Sequence, residues 1–227
     1  MLLLGTILVV EAYVVVPALI EDLLARNLQT RLGLESTPGI ELEGSPASLL
    51  TGRFDGGSAD LPGLEFGGVR SEETSVELAP FELDVPGSLT SGSMRTQPPL
   101  SGTLRMELSE PEVARVTGLE ATSFPVNNVD LEKDVVVIGS EAVAFGRSIP
   151  VSVQGGLDLQ DNSLVFEPST VEALGVQIPE PLTGQLLQDT SFVYPIDPLP
   201  DGIRFTNVEV QRDQLLLTGE TNTLALG

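Results

Sequence analysis

The hydrophobic pattern changes period at Gly33, and that change decides the class of fold. Before it, Ile20, Leu24, Leu28 and Leu32 recur every fourth residue, flanked by Leu19 and Leu23. Residues at that spacing share one face of an α-helix. Glu21 and Asp22 stand in the first turn and Arg31 in the last, matching the helix dipole. Asp22 and Arg26 make an i,i+4 pair. Pro17 suits the entry to a helix and Gly33 its exit. The spacing predicts a helix over 18–32.

After Gly33 the period is two. Ile40 and Leu42 alternate with Glu41 and Glu43; Leu104, Met106 and Leu108 alternate with Arg105 and Glu107. Ile149, Val151, Val153, Leu157 and Leu159 share one parity, and Leu215 to Thr218 closes the pattern. Such alternation predicts antiparallel strands with one apolar and one polar face. The parity slips at Ala79-Pro80, predicting a bulge or an edge strand, and slips again between Phe205 and Val208. Ser109-Glu110-Pro111-Glu112 reads as a capping box opening a short helix that Gly118 stops. Ser169-Thr170-Val171-Glu172 reads as a second, stopped by Gly175, and Pro181 to Asp189 as a third. Pro195 to Pro200 is a stiff connection that turns at Asp201-Gly202. The fold class is therefore α+β. A β-rich chain of 227 residues fits one domain, here 17–227, behind an apolar segment, 1–16.

That segment, MLLLGTILVVEAYVVV, has the length and apolarity of a membrane span when continued to Ile20. Glu11 is costly in its middle, and no basic residues precede it as in a signal peptide. Three readings stay open: a retained anchor, a cleaved export signal, and a buried core segment. The first two place the protein outside the cytoplasm, anchored to or exported across a membrane.

Charge and missing residue types remove whole classes of function. The chain carries 33 acidic and 11 basic residues, a net charge of −22, and one lysine, Lys133. That excludes nucleic acid as a partner and opposes adhesion to an anionic membrane surface by charge. With no histidine and no cysteine, Ser–His–Asp and Cys–His catalysis, zinc thiolate and histidine-based metal sites and disulfides are impossible. No P-loop and no EF-hand loop occurs, so neither metal nor cofactor is expected. Paired carboxylates are the enzymatic option left, but aromatic residues at 4% poorly supply a sugar cleft. The chain reads as a non-enzyme. The phenylalanines of the β region either fill an ordinary core or line a cavity for acyl chains.

The order of features is informative. An apolar N-terminus runs into a helix ending Leu32-Gly33-Leu34; a strand, Ile40 to Glu43, leads to Gly44-Ser45-Pro46 and then Leu49-Leu50-Thr51-Gly52-Arg53-Phe54-Asp55. Much later come Leu199-Pro200-Asp201-Gly202-Ile203 and two terminal strands around Val208-Glu209-Val210 and Leu215-Leu216-Leu217. Over nearly its whole length the chain resembles the LmeA family of phospholipid-binding proteins of the actinobacterial envelope. The resemblance implies a long, strongly curved antiparallel sheet wrapped around the N-terminal helix, similar to tubular lipid-binding proteins. It implies an apolar tunnel for phospholipid tails, a role in envelope lipid or lipoglycan metabolism, and no catalytic residues.

The expected function is thus an extracytoplasmic, monomeric phospholipid-binding or lipid-shuttling protein of the cell envelope, met by the membrane through its N-terminal segment. Acyl chains would lie between the helix and the apolar face of the sheet. Leu24, Leu28, Phe54, Phe66, Phe81, Phe145, Phe166, Phe192 and Phe205 are the expected lipid contacts, and Arg53 the expected headgroup contact. The alternative is a structural or interaction module of the envelope with a filled core.

Overall fold

The first helix, α1 (18–32), ends as its sequence dictates. Gly33 adopts φ 65, and the Leu34 N–H reaches the Gln29 carbonyl at 3.0 Å, the long bond of a Schellman cap. Ile20, Leu24, Ala25 and Leu28 are buried, while Leu19, off that stripe, is 49% exposed. The structure is a computed structural model that describes residues 18–66, 68–84, 87, 90, 96–97, 100–120, 126–144, 146–179, 183, 191–196, 199 and 202–224. The apolar segment 1–16 and the helix expected over 181–189, Thr183 apart, lie outside the described residues, as do Asp197, Pro198, Pro200 and Asp201 of the expected stiff turn.

The rest of the described chain is mainly antiparallel sheet. One six-stranded sheet has the order β1 (Gly39–Glu43), β3 (Gly56–Asp60), β6 (Glu73–Leu78), β9 (Leu100–Ser109), β17 (Gln214–Leu224), β16 (Ile203–Gln211). A second runs β10 (Asn128–Glu132), β11 (Val135–Ala144), β12 (Arg147–Gln160), β13 (Ser163–Ala173), β14 (Val176–Gln177), with β15 (Phe192–Pro195) also on β13. Two backbone bonds join their edges at paired hairpin turns: Asp134 N–H to the Val210 carbonyl and Asp213 N–H to the Leu131 carbonyl, both 3.0 Å. Both aspartates sit at positive φ, 64 and 66, a conformation Asp tolerates in tight turns. A small sheet of β2 (Arg53–Phe54), β7 (Phe81–Leu83) and β8 (Thr96–Gln97), and a hairpin of β4 (Glu65–Phe66) and β5 (Val69–Arg70), complete the strands. The α+β class and the antiparallel pairing are as the alternation predicts; the hydrogen bonding divides the strands between two principal sheets. One buried apolar cluster takes in α1 and both of these sheets.

The two parity slips have different causes. At Ala79-Pro80 the chain leaves the first sheet and enters the small one, so β6 and β7 are separate strands. Between Phe205 and Asn207 a true bulge gives β16 one residue more than β17.

The short helices need one correction. Two helices lie beyond α1 among the named elements: α2 (Pro46–Leu50), capped by Ser45 with Pro46 in its first turn, and α3 (Glu110–Glu120). α3 begins where the capping box places it but passes through Gly118, an exposed position where glycine costs only about 1 kcal/mol. Ser169 to Glu172 is not helical. It lies in β13, where Ser169 is the extra residue of a bulge opposite Gln154-Gly155. The Ser169 hydroxyl donates to the Gln154 carbonyl at 3.1 Å, and Val171 is buried opposite Val153. Cross-strand burial of a β-branched side chain thus outweighs a local Ser-x-x-Glu pattern.

Candidate functional site

The apolar face of α1 meets the inner face of the first sheet. Leu24, Leu28 and Leu32 pack over Ala59 of β3, Val76 and Leu78 of β6, Leu100 and Leu104 of β9, and Ile203 of β16. Leu61 and Leu64, from the loop after β3, close one side, and Thr221 of β17 adds the single polar side chain among the described residues. Alternation puts these residues on one face: Leu104, Met106 and Leu108 of β9 lie opposite Gly219, Leu217 and Leu215 of β17. The seam encloses a cavity of about 20 Å3. One polar tie from α1 to this sheet is the Leu42 N–H, which donates to the Glu21 carboxylate at 3.3 Å. Burial of its apolar face adds a force that is non-directional and breaks no ladder of bonds when the helix shifts.

Farther along the same face lies a second apolar cavity, of about 10 Å3. Leu108 and Leu215 form its floor, Val113, Val116 and Thr117 of α3 its lid, and Leu157, Leu164 and Phe192 of the second sheet its far wall. α3 is clamped in place by charge. The Glu112 carboxylate accepts from the Arg115 Nε at 2.9 Å and from the Arg70 N–H at 2.7 Å, and Arg115 also donates to the Gly68 carbonyl. The Arg115 guanidinium holds the Glu112 carboxyl below its ordinary range, against the opposing effect of burial. A general acid needs the reverse shift.

The larger hollows are of another kind. One of about 380 Å3 is lined by Asp60, Glu72, Glu73 and Glu107 with Arg105, and one of about 430 Å3 by Asp130, Glu141 and Glu172. Both are open to solvent and carry charged side chains, so neither removes an acyl chain from water. Among the described residues no group of three or more acidic side chains is placed to hold a metal ion.

An α-helix laid along a sheet face that is apolar but for Thr221 is a geometry that suits lipid tails. The sequence profile of the LmeA-like phospholipid-binding family matches residues 12–220. The chain belongs to the LmeA-like phospholipid-binding family. No curated protein and no solved structure matches it. The family stretch Gly44 to Asp55 has a structural task in this LmeA-like fold. Ser45 and Pro46 start α2, and Gly52, at φ 78, turns the chain so that Phe54 stacks on Phe81 with ring centroids 4.7 Å apart.

Of the residues the sequence singles out, Leu24 and Leu28 line the first cavity and Phe192 the second. Phe54 and Phe81 form their stacked pair in the small sheet, and Phe166 stacks on Phe192 at 5.2 Å. Phe205 is buried on β16. Phe66 lies on β4, where its side chain is outside the description, and Phe145 is outside the described residues. Arg53 is exposed and pairs with Glu82 of β7 at 3.2 Å; it lines neither cavity. The phenylalanines therefore do not converge on one space. The walls are mostly leucines, of which Leu104 and Leu108 were marked by their alternation, whereas nothing local marked Leu61, Leu64, Leu100 or Thr221.

Among the described residues no helix is long and apolar enough to cross a membrane.

Proposed function

We propose that this LmeA-like chain takes phospholipid acyl chains between α1 and the first sheet, and carries or holds the lipid outside the cytoplasm in the cell envelope. The observation that carries this reading is the apolar seam under α1, whose walls, among the described residues, offer one hydroxyl and no charge. A second apolar cavity on the same sheet face supports a longer path for the chain. Each methylene buried there gains about 0.8 kcal/mol, which offsets apolar contact that α1 gives up in making room for the chain. The headgroup stays at the mouth, and the N-terminal segment meets the membrane that supplies the lipid. No catalytic step is needed.

The direct test is native mass spectrometry of protein extracted from a membrane fraction, with uptake of a fluorescent phospholipid in parallel. A co-purifying phospholipid and saturable uptake are expected. Absence of both would sink the proposal. The competing reading, an envelope module with a filled core, is favoured by the small cavity volumes of about 20 and 10 Å3. It predicts hydrogen exchange in α1 that does not change with added lipid.

A further inference from the structure

Thr221 sits oddly in the seam. It is 2% exposed, and its Oγ1 is buried with no hydrogen-bond partner among the described residues. A buried hydroxyl normally finds an acceptor within its own strand or on a neighbour, because leaving it unpaired costs free energy. Around it stand Leu24, Leu28, Leu104 and Ile203, none of which offers a polar side-chain atom. A trapped water is a poor partner, since it needs two to four polar groups and the lining supplies one hydroxyl.

Alternation turns this side chain inward: Leu215, Leu217, Gly219 and Thr221 lie opposite Leu108, Met106, Leu104 and Gly102. Thr221 pairs with Gly102 and Leu224 with Leu100, so three steps on β17 match two on β9. That is a bulge, so the regular ladder that carries Thr221 on the inner face ends at Thr221 itself. Its position at the sheet end of the α1 seam places one donor inside an otherwise apolar wall.

We infer that the Thr221 hydroxyl is the polar anchor of the lipid site and donates a hydrogen bond to the ester carbonyl of an acyl chain seated under α1. The inference rests on the lipid-binding reading and specifies its substrate class: ester-linked rather than ether-linked lipid. Among the described residues no Lys or Arg lines this cavity, so the acceptor is neutral and not the phosphate. An ester carbonyl is the neutral acceptor that terminates an apolar chain.

The test compares uptake of diacyl phosphatidylcholine with that of its dialkyl ether analogue of equal chain length by the full chain. The ether lacks the carbonyl and is otherwise matched. Wild-type protein is expected to prefer the ester by about tenfold, the scale of one buried hydrogen bond. Thr221→Val, which keeps the shape and removes the hydroxyl, is expected to bind both at the ether level with an unfolding midpoint equal to or above wild type. Thr221→Ser is expected to retain the preference. Equal uptake of the two lipids by wild type, or an ester preference surviving in Thr221→Val, overturns the anchor and leaves lipid binding standing. Uptake of neither lipid by wild type overturns both. The wild-type comparison needs no variant to fold.

Discussion

Met106 of β9 lies directly opposite Leu217 of β17, and both side chains are fully buried. The pair separates the two apolar cavities. Leu104 and Thr221 line one on one side of it; Leu108 and Leu215 floor the other on the far side. Leu104 and Leu108 are four residues apart, about 14 Å along a strand. Methionine is flexible enough to swing aside for a chain that leucine would block. Met106→Ala is expected to join the cavities. It should lower stability by about 2–4 kcal/mol in urea unfolding. It should also shift uptake toward longer acyl chains, measured with a series of phospholipids of increasing chain length. An unchanged length preference would show that the pair is ordinary core.

α1 is the moving part of the proposed site, so its two faces should respond differently to charge. Leu28 is 4% exposed in the seam, whereas Leu19 is 49% exposed off the stripe. Leu28→Asp buries an unpaired carboxylate and should cost about 3 kcal/mol or more. Leu19→Asp should stay within about 0.5 kcal/mol of wild type. Urea midpoints of the two variants check the difference. Equal midpoints would mean that α1 is not packed on the sheet in solution.

Much of this was legible along the chain, and the reason is local agreement. In α1 the apolar stripe, the terminal charges and Gly33 all favour the same helix, so its span 18–32 follows from sequence. In β9 the alternation of Leu104, Met106 and Leu108 gave both the strand and its inner face. What was not legible is non-local. Nothing near Leu108 announces Leu215, more than a hundred residues later, as its partner. Ser169 to Glu172 carries a helix-start pattern that a bulged strand can also carry. Thr221 reads as a routine strand residue until α1, β9 and β16 are seen to close around it. The packing of the phenylalanines is non-local too: four of them form two stacked pairs that build strand contacts in separate sheets.

The α3 clamp makes stability depend on acid in a definable window. Arg115 lowers the folded-state pKa of Glu112 below the ordinary 4.5, and the Arg70 N–H adds to the effect. A lowered carboxylate pKa stabilises the fold above the unfolded value, and the gain is lost as pH falls through the folded value. Glu112→Gln should therefore cost about 1 kcal/mol at neutral pH, the scale of a partly exposed, hydrogen-bonded ion pair. The gap between wild type and variant should close as pH drops below about 4.5. Thermal unfolding of both proteins between pH 3 and 7 reads it; the prediction uses the difference because the other carboxylates titrate in both. A gap that persists unchanged at pH 3 would show that the clamp acts through packing.

Gly155 tests whether the second cavity belongs to the site. It lies opposite Pro168 beside the β13 bulge, and a Cβ there would meet the Glu167 carbonyl oxygen at 2.4 Å and the Phe166 ring at 2.8 Å. Backbone cannot yield as a flexible side chain can, so the strain passes to the ring. Phe166 is fully buried and stacks on Phe192, a wall of the cavity under α3. Gly155→Ala should cost about 1–3 kcal/mol by overpacking. It should also reduce uptake of long-chain phospholipid more than of short-chain phospholipid, since the near cavity under α1 is untouched. Gly156, whose added Cβ would meet nothing within 4 Å, is the control, and Gly156→Ala should change neither stability nor uptake appreciably. If Gly155→Ala lowers stability but leaves the chain-length profile of uptake unaltered, the acyl path ends short of the Met106–Leu217 pair and the second cavity is packing alone.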